Sequence, residues 1–121
     1  MAEPPKLQLA RQQLARVQVA SHDPVDWSDL ALYAFYALEN AVVAAADHFA
    51  VRWQTTHPSK VAAARELHTN FGLPDVSALL TTLNTLRKSE AYGETPPPRS
   101  TTAEHIATNV EEFIDAVAAL F

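Results

Sequence analysis

Between Trp27 and Trp53 the chain is apolar around most of a helical circumference, and whatever fold forms must cover that surface. Small residues at Ala41, Ala44, Ala45, Ala46 and Ala50 let neighbouring backbones approach closely. A helix that is hydrophobic nearly all round sits at the centre of a bundle or against a second subunit. The longest apolar run, Leu30 to Ala46, is interrupted by Glu39 and Asn40, so a membrane span is not expected. Asp26 is placed to cap this helix, with Asp29 in its first turn.

The other segments have helical periodicity and are separated by breakers. A first helix spans roughly Lys6 to Ala20, with Leu7, Ala10, Leu14 and Val17 on one face, and Ser21-His22-Asp23-Pro24-Val25 ends it. Pro58 opens a third helix that stops near Phe71, before Gly72. Pro74-Asp75 starts a fourth, which runs to about Tyr92. Glu94 to Ser100, with Pro96-Pro97-Pro98, cannot be helical. Thr101-Thr102-Ala103-Glu104 has capping-box spacing and opens a last helix striped by Ile106, Val110, Phe113, Ile114, Val117 and Phe121. Strand patterning is absent, and only two glycines occur. The expectation is a single all-α domain over residues 1–121: an antiparallel up-down four-helix bundle with an additional helix, with 1–5 and 94–100 as flexible or loop segments.

Composition narrows the chemistry. No cysteine is present, which excludes disulfides, thiolate metal sites and cysteine nucleophiles. No apolar segment follows a basic start at the N-terminus, so a cytoplasmic location is expected. Residues 1–100 carry ten acids against nine bases, and Thr101 onward carries four acids and no Lys or Arg. A duplex-DNA binder would show a basic stripe instead. A helix-turn-helix between Val61 and Lys88 is disfavoured because the would-be recognition helix begins Pro74-Asp75-Val76-Ser77, with no base. The five histidines are dispersed without His-x-x-x-His or Glu-x-x-His spacing, so no metal or other cofactor is expected, and all five read as surface or capping residues.

Two charges stand out because they fall within apolar arcs. Glu39 interrupts Leu32, Phe35, Val42, Ala46, Phe49 and Trp53; Arg87 interrupts Val76, Leu79, Leu80 and Leu83. Breaking a buried ion pair costs on the order of 3–5 kcal/mol, so each charge calls for a partner or a function. One reading pairs them as a salt bridge between the second and fourth helices, with Glu90 as an alternative partner for Arg87. The other has Arg87 lining a polar cleft, held by a carboxylate and available for a phosphate. The neighbouring Tyr33, Phe35 and Tyr36 read as core aromatics; Tyr33 and Tyr36, with Asp29 and Asn40, form a more polar edge that could line a cleft or a dimer seam.

The stretch Leu83-Asn84-Thr85-Leu86-Arg87-Lys88-Ser89-Glu90-Ala91-Tyr92-Gly93 resembles the fourth helix of HEPN domains, a family of nucleotide-binding helical bundles. Tyr36-Ala37-Leu38-Glu39-Asn40-Ala41-Val42 is similar to that family's alanine-rich helix with an inward glutamate, and Thr56-His57 falls where the family often has a threonine or glycine before histidine. The resemblance extends from about Asp26 onward and is nearest to small standalone bacterial members. Ribonuclease-type members carry a histidine four to six residues after the arginine; here that window holds no histidine, and Tyr92 stands within it. A phenol ionises too far above neutrality to serve as a proton shuttle.

The resemblance therefore implies a non-catalytic accessory protein that contacts a nucleotide or RNA. Arg87 would meet phosphate, Glu39 would orient it, and Lys88 and Tyr92 would border the site. It also implies a setting beside a nucleotidyltransferase or in a toxin–antitoxin or defence system. A homodimer is expected from the surplus apolar surface of the second helix. The alternatives are a purely structural, protein-interacting helical dimer and, further off, an active ribonuclease that uses Arg87 with an unconventional partner.

Overall fold

The computed structural model describes residues 3–92 and 102–121, the side chains of 90–92 excepted. The described residues form five helices and no strand: α1 Pro5–Ala20, α2 Trp27–His48, α3 His57–Phe71, α4 Ser77–Tyr92 and α5 Ala103–Ala118. The expected loop at 94–100 lies outside the described residues, and the expected flexible 1–5 segment overlaps the start of α1 at Pro5.

Among the described residues, α2 packs against all four other helices. The remaining contacts divide the bundle into two groups. α1 and α5 pack on each other and on α2, and α3 and α4 do the same. The two three-helix groups share α2, and a single apolar core runs through both. Thirteen residues of α2 are buried, including Leu30, Phe35, Leu38 and Val42, because helices of the same chain cover most of its circumference. The apolar surface that suggested a dimer is thus covered within one chain. α2 is also long and apolar enough to cross a membrane, yet 72% of that apolar stretch is buried inside the bundle.

Local chemistry sets the helix ends. Asp26 caps α2 as expected, its carboxylate accepting from the Asp29 backbone N–H at 3.0 Å. The far end stops five residues short of the expected Trp53. Ala50 adopts φ 57°, and the Val51 N–H donates to the Ala46 carbonyl at 2.8 Å, a 6→1 closure that seats the buried Val51 against the core. α3 also ends on a left-handed residue, Gly72 (φ 74°), with a wider closure: the Gly72 N–H donates to the His68 carbonyl at 3.2 Å and the Leu73 N–H to the Leu67 carbonyl at 3.3 Å. The α2 stop was hard to foresee because an alanine occupies the left-handed position where glycine is usual.

α4 begins at Ser77 rather than at Pro74-Asp75. Asp75 Oδ1 accepts from both the Ser77 backbone N–H (3.0 Å) and the Ser77 hydroxyl (2.7 Å), organising that entry. These hydrogen bonds, led by the one from the Ser77 hydroxyl, hold the Asp75 carboxyl below its ordinary range. For α5, Thr102 caps the helix through the His105 N–H at 3.0 Å.

Candidate functional site

Glu39 is only 8% exposed despite its charge, and two side chains of α3 approach it. Its position midway along α2 places it on the side covered by α3. Lys60 Nζ donates to Glu39 Oε1 at 3.3 Å, and His57 Nδ1 lies 3.7 Å from Glu39 Oε2. Both partners come from the first turn of α3, which begins at His57. They belong to the arc that continues through Val61, Ala64 and Leu67, so the α3 face that packs against α2 is ionic at its start and apolar beyond. Both are half-buried, which limits the solvent that screens the pair.

Arg87 does not meet Glu39. Its Nη2 donates to Asn84 Oδ1 at 2.8 Å, one turn earlier on α4. Its guanidinium carbon sits 4.6 Å from the centre of the Phe35 ring, within cation–π range. The expected bridge between α2 and α4 is therefore replaced by two separate arrangements, a carboxylate held by α3 and an arginine laid on an aromatic face. The physical reason is position: Glu39 faces the N-terminal turn of α3, while one turn earlier Phe35 supplies the surface that meets α4. Sequence periodicity gave the depth of both charges without giving the helix each one faces.

Phe35 joins the two arrangements. The His57 ring centre lies 5.5 Å from that of Phe35, and Arg87 packs on the same ring. A continuous set of contacts thus runs Lys60–Glu39–His57–Phe35–Arg87–Asn84. Within it, one carboxylate stands among two permanent cations and a histidine, leaving positive charge in excess. Two nitrogens in the set, His57 Nδ1 and Arg87 Nε, are buried without a hydrogen-bond partner among the described residues. Arg87 as a whole is half-buried, so part of its side chain reaches solvent.

The other expected site residues fall differently. Lys88 is exposed on α4 beside Arg87. Tyr92 ends α4, and its side chain lies outside the described residues. His57 and Lys60 were missed in the sequence, although a signal was present: they stand on α3's apolar arc just as Glu39 stands on α2's. His57 is not the surface or capping residue expected from the sequence; it is half-buried beside Glu39.

A concavity of about 360 Å³ opens between α4 and α5, away from the Arg87 cluster, and is lined by Val76, Leu79, Thr82, His105 and Glu112 among others. Asp75, at its edge, is already engaged by Ser77. Among the described residues, no three His, Asp or Glu side chains gather in a way that could hold a metal ion. Comparison with protein-family models, with curated proteins and with solved structures gives no match.

Proposed function

We propose that this chain is a non-catalytic, HEPN-like accessory protein that binds a phosphate-bearing ligand, a nucleotide or RNA, through Arg87. The observation that carries the reading is how Arg87 is held. Among the described residues, an aromatic face and a neutral side-chain amide fix the guanidinium and no carboxylate pairs with it; the side chain of Glu90, the other partner the sequence offered, lies outside them. A carboxylate in that role would compete with an incoming phosphate; Phe35 and Asn84 do not. Lys88, exposed and next to Arg87 in α4, adds positive charge, while Lys60 is balanced by Glu39, which orders α3 rather than Arg87.

The HEPN assignment, the antiparallel course of the helices, the homodimer, the cytoplasmic location and the setting beside a nucleotidyltransferase or in a toxin–antitoxin or defence system belong to this same proposal. The HEPN assignment, the helix course and the setting rest on the resemblance of the segments around Glu39, His57 and Arg87; the location and the homodimer rest on sequence composition alone, the apolar surface of α2 being covered within one chain.

Thermal unfolding of wild type and Arg87→Gln, each with and without mononucleotides and short single-stranded RNA, tests the reading. Ligand should raise the melting temperature of wild type alone. A ligand shift that is equal in both proteins, or absent from wild type, overturns it. A second reading, a purely structural protein, draws on the Glu39–Lys60–His57 tie. It expects marked destabilisation on truncating Glu39 and no ligand effect anywhere.

A further inference from the structure

Tyr36 is the most exposed Phe, Tyr or Trp side chain of α2 among the described residues. It is 38% exposed, one of four large apolar or aromatic side chains open to that degree among the described residues. The others are Leu9, Val19 and Phe71. Tyr36 alone of these is in ring contact with Phe35, at 5.6 Å between centres and 58° between planes. Phe35 is the ring on which the Arg87 guanidinium rests, 4.6 Å from its centre. Tyr36 and Arg87 are therefore separated by no more than those two lengths end to end, a gap that one nucleotide can bridge once the phosphate–guanidinium and stacking contacts at its two ends are included.

We infer that Tyr36 is the base-stacking surface of the Arg87 site, so that its ligand is a nucleotide, recognised at both ends, rather than a bare phosphate or sugar phosphate. This rests on the phosphate-binding reading of Arg87 and adds the residue that would recognise the base. An exposed phenol ring offers a flat π-face that any base can cover. Its contact with the buried Phe35 limits its motion, so less freedom is lost when a base stacks on it. Arg87 supplies charge at the other end and Tyr36 supplies area.

The experiment is a set of titrations by calorimetry with adenosine 5′-monophosphate, ribose 5-phosphate and inorganic phosphate. The proteins are wild type, Tyr36→Leu, Tyr36→Phe and Arg87→Gln. Wild type should bind the nucleotide roughly 5- to 140-fold more tightly than ribose 5-phosphate, the range expected for one aromatic–base stack. Tyr36→Leu should lose that preference while keeping its affinity for ribose 5-phosphate, and Tyr36→Phe should retain the preference. Arg87→Gln should weaken all three ligands.

Equal wild-type affinity for the nucleotide and ribose 5-phosphate overturns the stacking role and leaves the phosphate site standing. A Tyr36→Leu loss shared equally by all ligands also overturns it, since that marks a structural effect. If wild type binds none of the three, the underlying phosphate reading falls as well. The wild-type comparison needs no variant, so the inference can be refuted even if Tyr36→Leu does not fold.

Discussion

The two sides of α2 are built from different materials. Toward α1 and α5 the buried contacts are hydrocarbon: Leu7, Leu14 and Val17 on one helix, Ile106, Val110, Phe113 and Ile114 on the other. Polar contacts there are confined to less buried positions, as where Asn40 Nδ2 donates to Gln13 Oε1 at 2.8 Å and Arg16 lies 4.9 Å from the Tyr33 ring centre. Toward α3 and α4 the packing includes Glu39, His57, Lys60 and Arg87. Well-packed hydrophobic residues in place of a buried ion pair are often neutral or stabilising, by as much as about 1–4 kcal/mol. The hydrocarbon side is thus what stability alone selects. The ionic side is where the bundle departs from that optimum, and such departures mark the place to look for function.

That contrast can be broken most forcefully on the apolar side. Phe113 is fully buried, and Phe113→Ala should cost about 3–5 kcal/mol in chemical denaturation. If the cost is under about 1 kcal/mol, the α1–α2–α5 group is not the main source of stability.

On the ionic side, Glu39→Ala should cost about 2–3 kcal/mol, because it strands Lys60 and His57 where water reaches them poorly. The double variant Glu39→Leu with Lys60→Met should cost less than Glu39→Ala alone. A double cost equal to the sum of the single costs would remove the case that the two charges are coupled.

Asp75 sharpens the comparison at the entry to α4. Asp75→Ala should cost about 1 kcal/mol, as loss of a cap-type carboxylate does. The sign with pH follows from its lowered folded-state value. The stabilisation is complete above the unfolded carboxyl range, about 3.9, and is lost as pH falls through the lower folded value. Asp75→Asn should therefore flatten the acid limb of the stability profile; an unchanged limb would remove the carboxylate's role.

The smallest effect concerns the paired helix ends. Ala50→Gly should raise stability by up to about 1 kcal/mol, since glycine escapes the left-handed penalty. At the end of α3 the reverse change, Gly72→Ala, meets nothing within 4 Å and should still destabilise by about 1 kcal/mol through its φ of 74°. If both changes have the same sign, backbone conformation is not what distinguishes the two ends.

Much of the fold was legible because helical signals are local. Asp26, Pro58 and Gly72 mark helix ends by their own chemistry, and the α5 stripe admits little else. Ala50 was not legible, because a non-glycine residue at positive φ is held there by the closure around it, not by its own preference. The site was half legible. The period of the sequence placed Glu39 and Arg87 at depth, yet partner choice depends on how helices rotate about one another, which periodicity does not encode. Hence the expected pair resolved into Glu39 with Lys60 and His57, and Arg87 with Phe35 and Asn84.

Because the two three-helix groups share α2, the chain has two packing environments and one fate. Removing α3 and α4 would bare one flank of α2, and removing α1 and α5 would bare the other; in neither case does the remainder keep a closed core. A fluctuation that loosens α3 from α2 changes the environment of a rod that α1 and α5 also grip. Among the described residues α2 is the only helix that packs against both groups, so every packing path between the two flanks passes through it.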